Sequence, residues 1–398
     1  MTAASDALPD SLNGPRGAIA MERAIGELRR GRAIFCHDAE TPSECGVIAV
    51  AVETVRPDVY ARLTGMAQAV GRELSLVITP QRAATLGILT FAEGASEEPV
   101  CLRLHGLGWR GISALAASSA SDPVADVLQH ARLHSELESC DTATVATLEL
   151  ARQARLLPAI IVLRAAPPLD SQLLQIEARQ LQGLAQQDAA AVVGLPLERV
   201  SEARVPLAGH ENCRLVLFRD PRDASEHVAI LIGDALERQE PDAAVPLRMH
   251  SACLTGDLLG SLRCDCGDQL RGAVEQLAAA GGGVLLYLAQ EGRGIGLANK
   301  LRAYTLQDAG LDTIEADRHL GFRDDERNYG VAAAMLCRLG LTRVRLLTNN
   351  PAKLQALEQA GIEVVSDERL LGTVNPHNLR YLRAKRERAG HLVPEITL

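Results

Sequence analysis

The strongest constraint on the fold is an alternation of short apolar runs with helical patterns, interrupted once near the middle of the chain. The interruption is the segment 165–170 (AAPPLD), where two adjacent prolines cannot continue a helix. Apolar runs of strand length lie on both sides of it. The sequence therefore predicts an α/β fold, of the α+β type with mixed sheets, in two domains.

The first half is predicted to contain a domain of residues 19–165, preceded by a flexible N-terminus at 1–18. The patterns place helices at 21–30, 122–134 and 142–154, and strands at 32–35, 46–52, 74–78 and 159–163. A connecting helix at 171–187 is expected within a linker at 166–204, because Asp170 or Ser171 can cap it.

The second domain is predicted at residues 205–375, followed by a C-terminal tail at 376–398. It opens with a predicted hairpin of strands 213–219 and 227–232. The later patterns predict helices at 267–280, 295–308 and 329–339, a helix starting at Pro351, and strands at 284–288, 344–348 and 362–365.

Charge and hydropathy exclude several classes of protein. The 398 residues carry 41 basic and 50 acidic side chains, a net charge of −9, which argues against nucleic acid as a partner. The longest apolar stretches, such as 156–163, are shorter than the ~20 residues of a membrane span, and the N-terminus lacks a secretory pattern. A cytoplasmic protein is expected.

Only three residues of the chain are lysines, Lys300, Lys353 and Lys385, which base-composition bias in the coding DNA can explain.

Nine cysteines in a reducing compartment favour thiols or metal ligands over disulfides. Cys253, Cys264 and Cys266 lie within fourteen residues, and three thiolates favour Zn²⁺ with a fourth position open for water, as in catalytic sites. A closed structural site with His250 as fourth ligand and a chance cluster without metal remain open. The isolated cysteines are expected to be inert, most of them in the core: Cys36, Cys45, Cys101, Cys140, Cys213 and Cys337.

Four motifs around this cluster resemble those of GTP cyclohydrolase II, in the order of that family. They are RMHSACLTGDLLGSLRCDCGDQL (248–270), YLAQEGRGIGLANKLRAY (287–304), LGFRDDERNYG (320–330) and LLTNNPAK (346–353). The resemblance covers about residues 205–375. It implies an enzyme that opens the imidazole ring of GTP, releases C8 as formate and removes pyrophosphate, which commits GTP to riboflavin synthesis.

The resemblance also implies roles for residues of this chain. Zinc on the three cysteines would lower the pKa of its water for attack on C8. Asp325 would accept protons and Tyr304 would position or donate one, although an acidic run such as 324–326 also suits a solvated helix start. The implied nucleotide contacts are Arg248, Met249, His250, Ser251, Ala252, Gln269, Glu291, Gly292, Arg293, Thr313, Thr348 and Lys353.

Arg327 corresponds to the residue that the family assigns as nucleophile toward the α-phosphate. A guanidinium with a pKa above 12 is a poor nucleophile, so stabilisation of the departing pyrophosphate is the physically easier role. Mg²⁺ is expected to leave with the pyrophosphate. Relatives with two domains generally pair as homodimers, so a homodimer is expected here.

Ala252 departs from the family, which commonly has Glu after the His-Ser pair. Altered GTP affinity is expected before loss of the chemistry. The alternative is a non-catalytic or regulatory homologue that retains a structural zinc site.

Residues 19–165 resemble, more faintly, the dihydroxybutanone phosphate synthase domain often fused ahead of GTP cyclohydrolase II. That domain needs an acidic loop for Mg²⁺, but this chain has HDAETPSEC at 37–45 and CDTA at 140–143. Most of the hard ligands are missing, so a divalent metal site should not form. A catalytically inactive scaffold for dimerisation or stabilisation is predicted, in which His37, Asp38, Glu40, Glu44 and Asp141 are surface or loop residues. The alternative is a changed activity or a regulatory ligand site.

Overall fold

Two seven-stranded mixed sheets, one in each half of the chain, confirm the predicted two-domain α/β fold. The computed structural model describes residues 13–38, 46–88, 98–104, 108–117, 135–166, 172–185, 197–234, 236, 243–388, 390 and 392. The predicted helix at 122–134, the proline pair of the boundary, Glu40, Glu44 and Cys45 lie outside these residues. None of the described helices combines the length and apolar character that a bilayer crossing requires.

The first sheet has the strand order β5-β4-β3-β6-β2-β1-β7, antiparallel except for the parallel pair β1 and β7. Its elements in chain order are α1 (Asn13–Arg29), β1 (Ile34–His37), β2 (Gly46–Ala51), α2 (Pro57–Ala69), β3 (Ser75–Ile78), α3 (Pro80–Thr85), β4 (Val100–Leu104), α4 (Trp109–Ala117), β5 (Ser135–Glu138), α5 (Thr142–Gln153), β6 (Ala159–Ala165), β7 (Leu174–Glu177) and α6 (Ala178–Ala185). Apolar cores cover both faces of this sheet.

Helix α5 shows why the sequence prediction succeeds for local elements. Asp141 caps it by accepting a hydrogen bond from the amide of Thr144 at 2.8 Å, and Arg164 pairs with the same carboxylate at 2.7 Å. Asp141 therefore stabilises the helix start and the sheet.

The prediction of a connecting helix over 171–187 is wrong in its first half. Residues Leu174–Glu177 form strand β7, which pairs with β1, and only Ala178–Ala185 is helical. The pairing partner lies about 140 residues earlier in the chain, so the local pattern could not reveal it. Helix α1 likewise begins at Asn13, inside the segment expected to be flexible.

The second sheet has the order β14-β13-β11-β12-β10-β9-β8, with its first four strands parallel and the rest antiparallel. Its elements are β8 (Glu198–Arg204), β9 (Cys213–Arg219), β10 (Glu226–Ile232), β11 (Val245–Ser251), α7 (Cys266–Ala279), β12 (Gly283–Leu288), α8 (Gly296–Asp308), α9 (Thr313–His319), α10 (Gly330–Arg338), β13 (Arg343–Leu347), α11 (Pro351–Gln359), β14 (Glu363–Glu368) and α12 (Leu379–Glu387). A π-helical turn at Leu254–Leu258 and a 3₁₀ turn at Glu291–Gly294 follow β11 and β12.

Two boundaries of this half differ from the prediction. Strand β8 starts at Glu198, ahead of the expected start at 205, and pairs with β9. The segment expected to be a tail contains helix α12.

Cys337 is exposed, whereas Cys36, Cys101 and Cys213 are buried as expected.

Candidate active site

A pocket lies where the parallel strands β11, β12 and β13 end. Ala252 and Thr348 directly follow β11 and β13, Gln290 lies two residues after the end of β12, and all three line the pocket. Strands of a parallel sheet present their carboxyl ends at one edge, where ligands of open α/β sheets generally bind. The topology thus brings three of the four motifs to one place.

Cys253, Cys264 and Cys266 converge on one side of this pocket. Their sulfur atoms all lie within 4.8 Å of one another, and Sγ of Cys253 is 3.8 Å from Sγ of Cys264. Gly256 makes this possible, because a Cβ there would lie 2.8 Å from Sγ of Cys264 and 3.1 Å from Sγ of Cys253. The three cysteines form a cluster that could hold a metal ion.

Lys300 provides the positive charge next to these thiols. Its Nζ donates to Sγ of Cys253 at 3.1 Å, to Oγ1 of Thr255 at 3.0 Å and to Oε1 of Glu291 at 2.7 Å. Hydrogen bonds from the thiols of Cys264 and Cys266, together with Lys300, hold the pKa of Cys253 far below its usual value. At least one thiolate is therefore preformed, as binding of a soft cation requires.

His250 does not belong to the cysteine cluster. Its Nε2 lies 3.1 Å from Oδ1 of Asp257, a carboxylate that also accepts from the hydroxyl of Tyr287 and the amide of Cys253, both at 2.9 Å. Burial keeps the pKa of His250 below its usual value despite the opposing effect of Asp257. The geometry therefore favours an open three-thiol site over the closed one with His250.

The glycine-rich turn after β12 has an unusual backbone. Gly292, Arg293 and Gly294 all have positive φ, and a non-glycine residue at φ 59° is strained. A Cβ at Gly294 would approach the carbonyl oxygen of Glu326 to 2.7 Å. The turn is therefore packed against the motif that carries Asp325 and Arg327.

Asp325 and Arg327 form a forked ion pair. Nε and Nη2 of Arg327 donate to the two carboxylate oxygens of Asp325 at 2.8 and 2.6 Å. Burial raises the pKa of Asp325, but Arg327 outweighs this and brings it below its usual value. Burial lowers the pKa of Arg327, but Tyr329 and Asp325 raise it overall, so this guanidinium is permanently charged. Asp325 is ionised at neutral pH.

Arg248 and Lys353 add two further basic side chains to the lining of the pocket. Arg248 donates to the carbonyl of Leu347 at 2.8 Å and to Oε1 of Gln269 at 2.7 Å. Lys353 donates to the carbonyl of Met249 at 2.7 Å. Burial, with Arg248 as a second cause, lowers the pKa of Lys353 well below its usual value. An anionic ligand would relieve this crowding of positive charge.

Most of the sequence-predicted site residues line this single pocket. They are Cys253, Cys264, Cys266, Arg327, Tyr304, Arg248, His250, Ser251, Ala252, Gln269, Glu291, Gly292, Arg293, Thr313, Thr348 and Lys353. Two predicted residues are not among the lining: the side chain of Met249 is buried in the core, and Asp325 contacts Arg327.

Sequence reasoning missed Lys300, Asp317, Tyr381 and Lys385, which also line the pocket. One signal was present. The chain has only three lysines, and all three line this pocket with 9%, 6% and 9% of their surface exposed.

Several buried polar atoms of the pocket have no hydrogen-bond partner. They are Nε of Arg248, Oγ of Ser251, Oε1 of Gln290 and Nη2 of Arg293. Buried polar atoms are normally paired, so their concentration at one place indicates a polar ligand.

Comparison with known proteins identifies the family. A family model described as GTP cyclohydrolase II matches residues 198–369. A protein of Azospirillum brasilense named GTP cyclohydrolase-2 is 43% identical over 98% of this chain and 99% of its own length. The chain belongs to the GTP cyclohydrolase II family.

Two other similarities extend over both halves of this family member. A protein of Mycobacteroides abscessus named riboflavin biosynthesis protein RibBA is 33% identical over 93% of this chain and 95% of its own length. A solved two-domain 3,4-dihydroxy-2-butanone 4-phosphate synthase from A. baumannii covers 89% of this chain at 17% identity, with a TM-score of 0.29.

Proposed function

We propose that this chain hydrolyses GTP to 2,5-diamino-6-(5-phosphoribosylamino)pyrimidin-4(3H)-one, formate and pyrophosphate, the first step of riboflavin biosynthesis. Family membership supports the activity, since relatives matching nearly the whole chain carry the name GTP cyclohydrolase-2. The observation that carries the proposal is the convergence of three thiols with Arg327 and Lys353 around one pocket.

The metal we propose for the three thiols is Zn²⁺. Zn–S bonds of about 2.3 Å in a tetrahedron place two sulfurs about 3.8 Å apart, and Sγ of Cys253 and Sγ of Cys264 are 3.8 Å apart. Zinc with an open coordination position would supply Lewis-acid activation of the water that attacks C8 of guanine. Cys253, Cys264 and Cys266 would hold it, with Gly256 leaving room for their sulfurs.

Recognition of guanine falls to Gln269 and Glu291. The guanine edge offers N1–H and N2–H donors and an O6 acceptor, which an amide and a carboxylate can pair. Nη2 of Arg248 donates a hydrogen bond to Oε1 of Gln269 at 2.7 Å, and Nζ of Lys300 donates one to Oε1 of Glu291 at 2.7 Å. Both groups are thus preorganised, which limits the loss of side-chain entropy on binding.

Tyr304 and Asp325 suit the proton transfers of ring opening. Burial raises the pKa of Tyr304, so its phenol is protonated at neutral pH and able to donate toward a leaving nitrogen. Asp325 is the ionised partner and accepts a proton. Its depressed pKa makes it a weak base, so its contact with Arg327 also serves to orient that guanidinium.

Arg327 and Lys353 would bind the triphosphate. A permanently charged guanidinium stabilises negative charge on departing pyrophosphate, which we propose leaves with Mg²⁺. The alternative role of Arg327, as nucleophile toward the α-phosphate, requires a deprotonated guanidine that its raised pKa disfavours. A covalent nucleotidyl adduct on Arg327, detected by mass spectrometry after rapid quenching, would support the nucleophile.

The assay combines zinc content with turnover. Purified protein with GTP and Mg²⁺ should release formate and pyrophosphate and form a diaminopyrimidine absorbance, with about one zinc per chain. Cys264→Ser should remain folded but lose zinc and formate release; the matched control, Cys337→Ser at an exposed cysteine, should retain both. A zinc-loaded, folded wild type without formate would refute the proposal.

A non-catalytic homologue with a structural zinc site is the second candidate, favoured by Ala252 at a position where the family commonly has Glu. It predicts that Cys264→Ser unfolds the protein. Ala252→Glu distinguishes the cases further, since in an active enzyme it should change KM for GTP, while a non-catalytic protein would show no turnover with either residue.

We further propose a cytoplasmic homodimer with a catalytically inactive N-terminal domain. The eight cysteines that the structure describes are all free thiols, which suits a reducing compartment. Leu258 and Leu259, beside the cysteine cluster, are 74% and 70% exposed, an apolar feature that a second copy would cover. Light scattering tests the dimer, and incubation with ribulose 5-phosphate tests the inactivity.

A further inference from the structure

The N-terminal domain contacts the segment that carries Asp325 and Arg327. We call residues 319–327 the anchored segment. It begins at the end of helix α9 and ends at Arg327 in the pocket. Phe322 in its middle is fully buried in a cluster that includes Leu157 of the N-terminal domain.

Helix α3 of the N-terminal domain holds the first residues of the anchored segment. Nη1 of the buried Arg82 donates to the carbonyl of His319 at 2.6 Å, and Oγ1 of Thr79 donates to the carbonyl of Gly321 at 2.8 Å. Arg82 also donates to the carbonyl of Leu115 at 2.9 Å, which fixes it to its own domain. These backbone contacts do not depend on the side chains of the segment.

The last turn of helix α5 holds the other end of the anchored segment. Nε of Arg152 forms an ion pair with Oε1 of Glu326 at 3.3 Å without hydrogen-bond geometry, and both side chains are 9% exposed. Nη1 of Arg152 donates to Glu149 in its own helix at 2.8 Å, which fixes the guanidinium. Glu326 lies between Asp325 and Arg327, and its amide donates to the carbonyl of Arg293 at 3.0 Å. A shift of Glu326 would therefore move both neighbours and the glycine-rich turn.

Arg155, just after α5, contacts the link between strand β12 and that turn. Its guanidinium donates to the carbonyl of Ala289 at 3.0 Å, and its own carbonyl accepts from Nδ2 of Asn299 at 2.9 Å. Arg155 has φ 59°, a conformation that costs a non-glycine residue free energy and persists where surrounding contacts enforce it.

We propose that the N-terminal domain acts as a positioning scaffold for the C-terminal site, with Arg152 as a positioning residue that acts through Glu326. The domain holds the anchored segment at both ends and so fixes the fork of Asp325 and Arg327. Misplacement of a reacting group by about 1 Å can lower a rate by about 100-fold. The proposal rests on the proposed function for its kinetic readout and extends it to a dependence on the other domain.

The test is Arg152→Gln in the full-length protein, compared with Arg302→Gln. Arg302 pairs with Glu53 at 2.9 Å across the same domain interface but does not contact the anchored segment, so it is the matched control. Arg152→Gln should lower kcat by about tenfold, with KM within about twofold and zinc content unchanged. Arg302→Gln should leave kcat unchanged.

Hydrogen–deuterium exchange supplies a readout that does not require turnover. Peptides covering 319–328 should exchange about tenfold faster in Arg152→Gln and at the wild-type rate in Arg302→Gln. Glu326→Gln should reproduce the effect, and the double variant should be no worse than either single one. A wild type that releases no formate would refute the proposed function, but the exchange experiment would still test the scaffold proposal. Equal exchange rates in Arg152→Gln and Arg302→Gln would overturn the scaffold proposal.

Discussion

The Nζ atom of Lys385 lies 2.8 Å from Oδ1 of Asp265, although 120 residues separate them in the chain. Asp265 lies between the two cysteines of the C-x-C motif, and Lys385 belongs to helix α12 beyond the family match. The C-terminal helix thus closes one wall of the pocket and fixes the loop that carries the thiols.

Removal of the Lys385 ammonium should destabilise the fold, because the buried Asp265 carboxylate loses its ion-pair partner and is left with the hydrogen bond from Gln269. Lys385→Met is expected to lower the free energy of unfolding by about 3 kcal/mol, measured by urea denaturation. Adding Asp265→Asn should restore part of this loss. Arg271→Met, at the exposed pair with Asp268, is the control, with a change below about 0.5 kcal/mol. A loss as small as in Arg271→Met would contradict the expectation.

Lys353 and Lys385 should differ in reactivity toward a small amine-acylating reagent. Burial lowers the pKa of Lys353 well below its usual value, so its amine is a better nucleophile near neutral pH. Burial also lowers the pKa of Lys385, but Tyr381 and Asp265 outweigh it and raise the pKa. Peptide mass spectrometry should find Lys353 acylated first, with loss of activity and protection by GTP. Faster labelling of Lys385 would show that the charge distribution is misassigned.

Gly256→Ala should weaken metal binding. The new Cβ would lie 2.8 Å from Sγ of Cys264 and 2.9 Å from Cβ of Cys266, so the thiols must separate. We expect at least a tenfold lower zinc affinity by competition with a chelator, in the range seen when support of a metal ligand is lost. Gly65→Ala, on helix α2 with open space around it, is the control and should bind zinc normally. Equal affinities would mean that the cluster adapts.

Arg327→Lys should lower kcat by about 100-fold with little effect on zinc content. Lysine keeps the charge but cannot form the fork with Asp325 or present a planar guanidinium to phosphate. Formate release under saturating GTP measures the effect, and Arg271→Lys on the exposed face of helix α7 is the control. Wild-type turnover in Arg327→Lys would show that charge alone suffices.

Asp317 should make stability depend on pH. Burial raises the pKa of this pocket carboxyl to about 7, against the opposing effect of Arg293. Below about pH 4, the pKa of Asp in the unfolded chain, the protonated Asp317 contributes its full stabilisation to the fold. As the pH rises from about 4 to 7 this contribution is lost, and the free energy of unfolding falls by about 4 kcal/mol. Asp317→Asn should remove this decline in urea unfolding between pH 4 and 7.

The control for Asp317→Asn is Asp58→Asn, which removes a carboxylate that is 69% exposed on helix α2. It should leave the pH dependence of the wild type in place. A decline of the same size in Asp317→Asn and the wild type would assign it to other groups.

The local sequence determined elements whose signals are contained within a few residues. Asp141 caps helix α5, and Pro351 occupies the first turn of helix α11. The spacing of Cys253, Cys264 and Cys266 along the chain is enough to predict that they cluster. Such features depend on neighbours in the chain, and the order of motifs was enough to assign most pocket residues.

Only the tertiary structure decided what depends on distant segments meeting. Strand β7 forms because its partner β1 offers an open edge, and Lys385 reaches Asp265 because helix α12 packs back onto the site. Arg152 and Glu326 form an ion pair across the interface between the two domains. The hydrophobic pattern of each domain predicts its own helices and strands and carries no information about this contact. Hydrogen bonds and ion pairs of this kind leave no periodic trace in the sequence, because their energy depends on distance in space and not on separation along the chain.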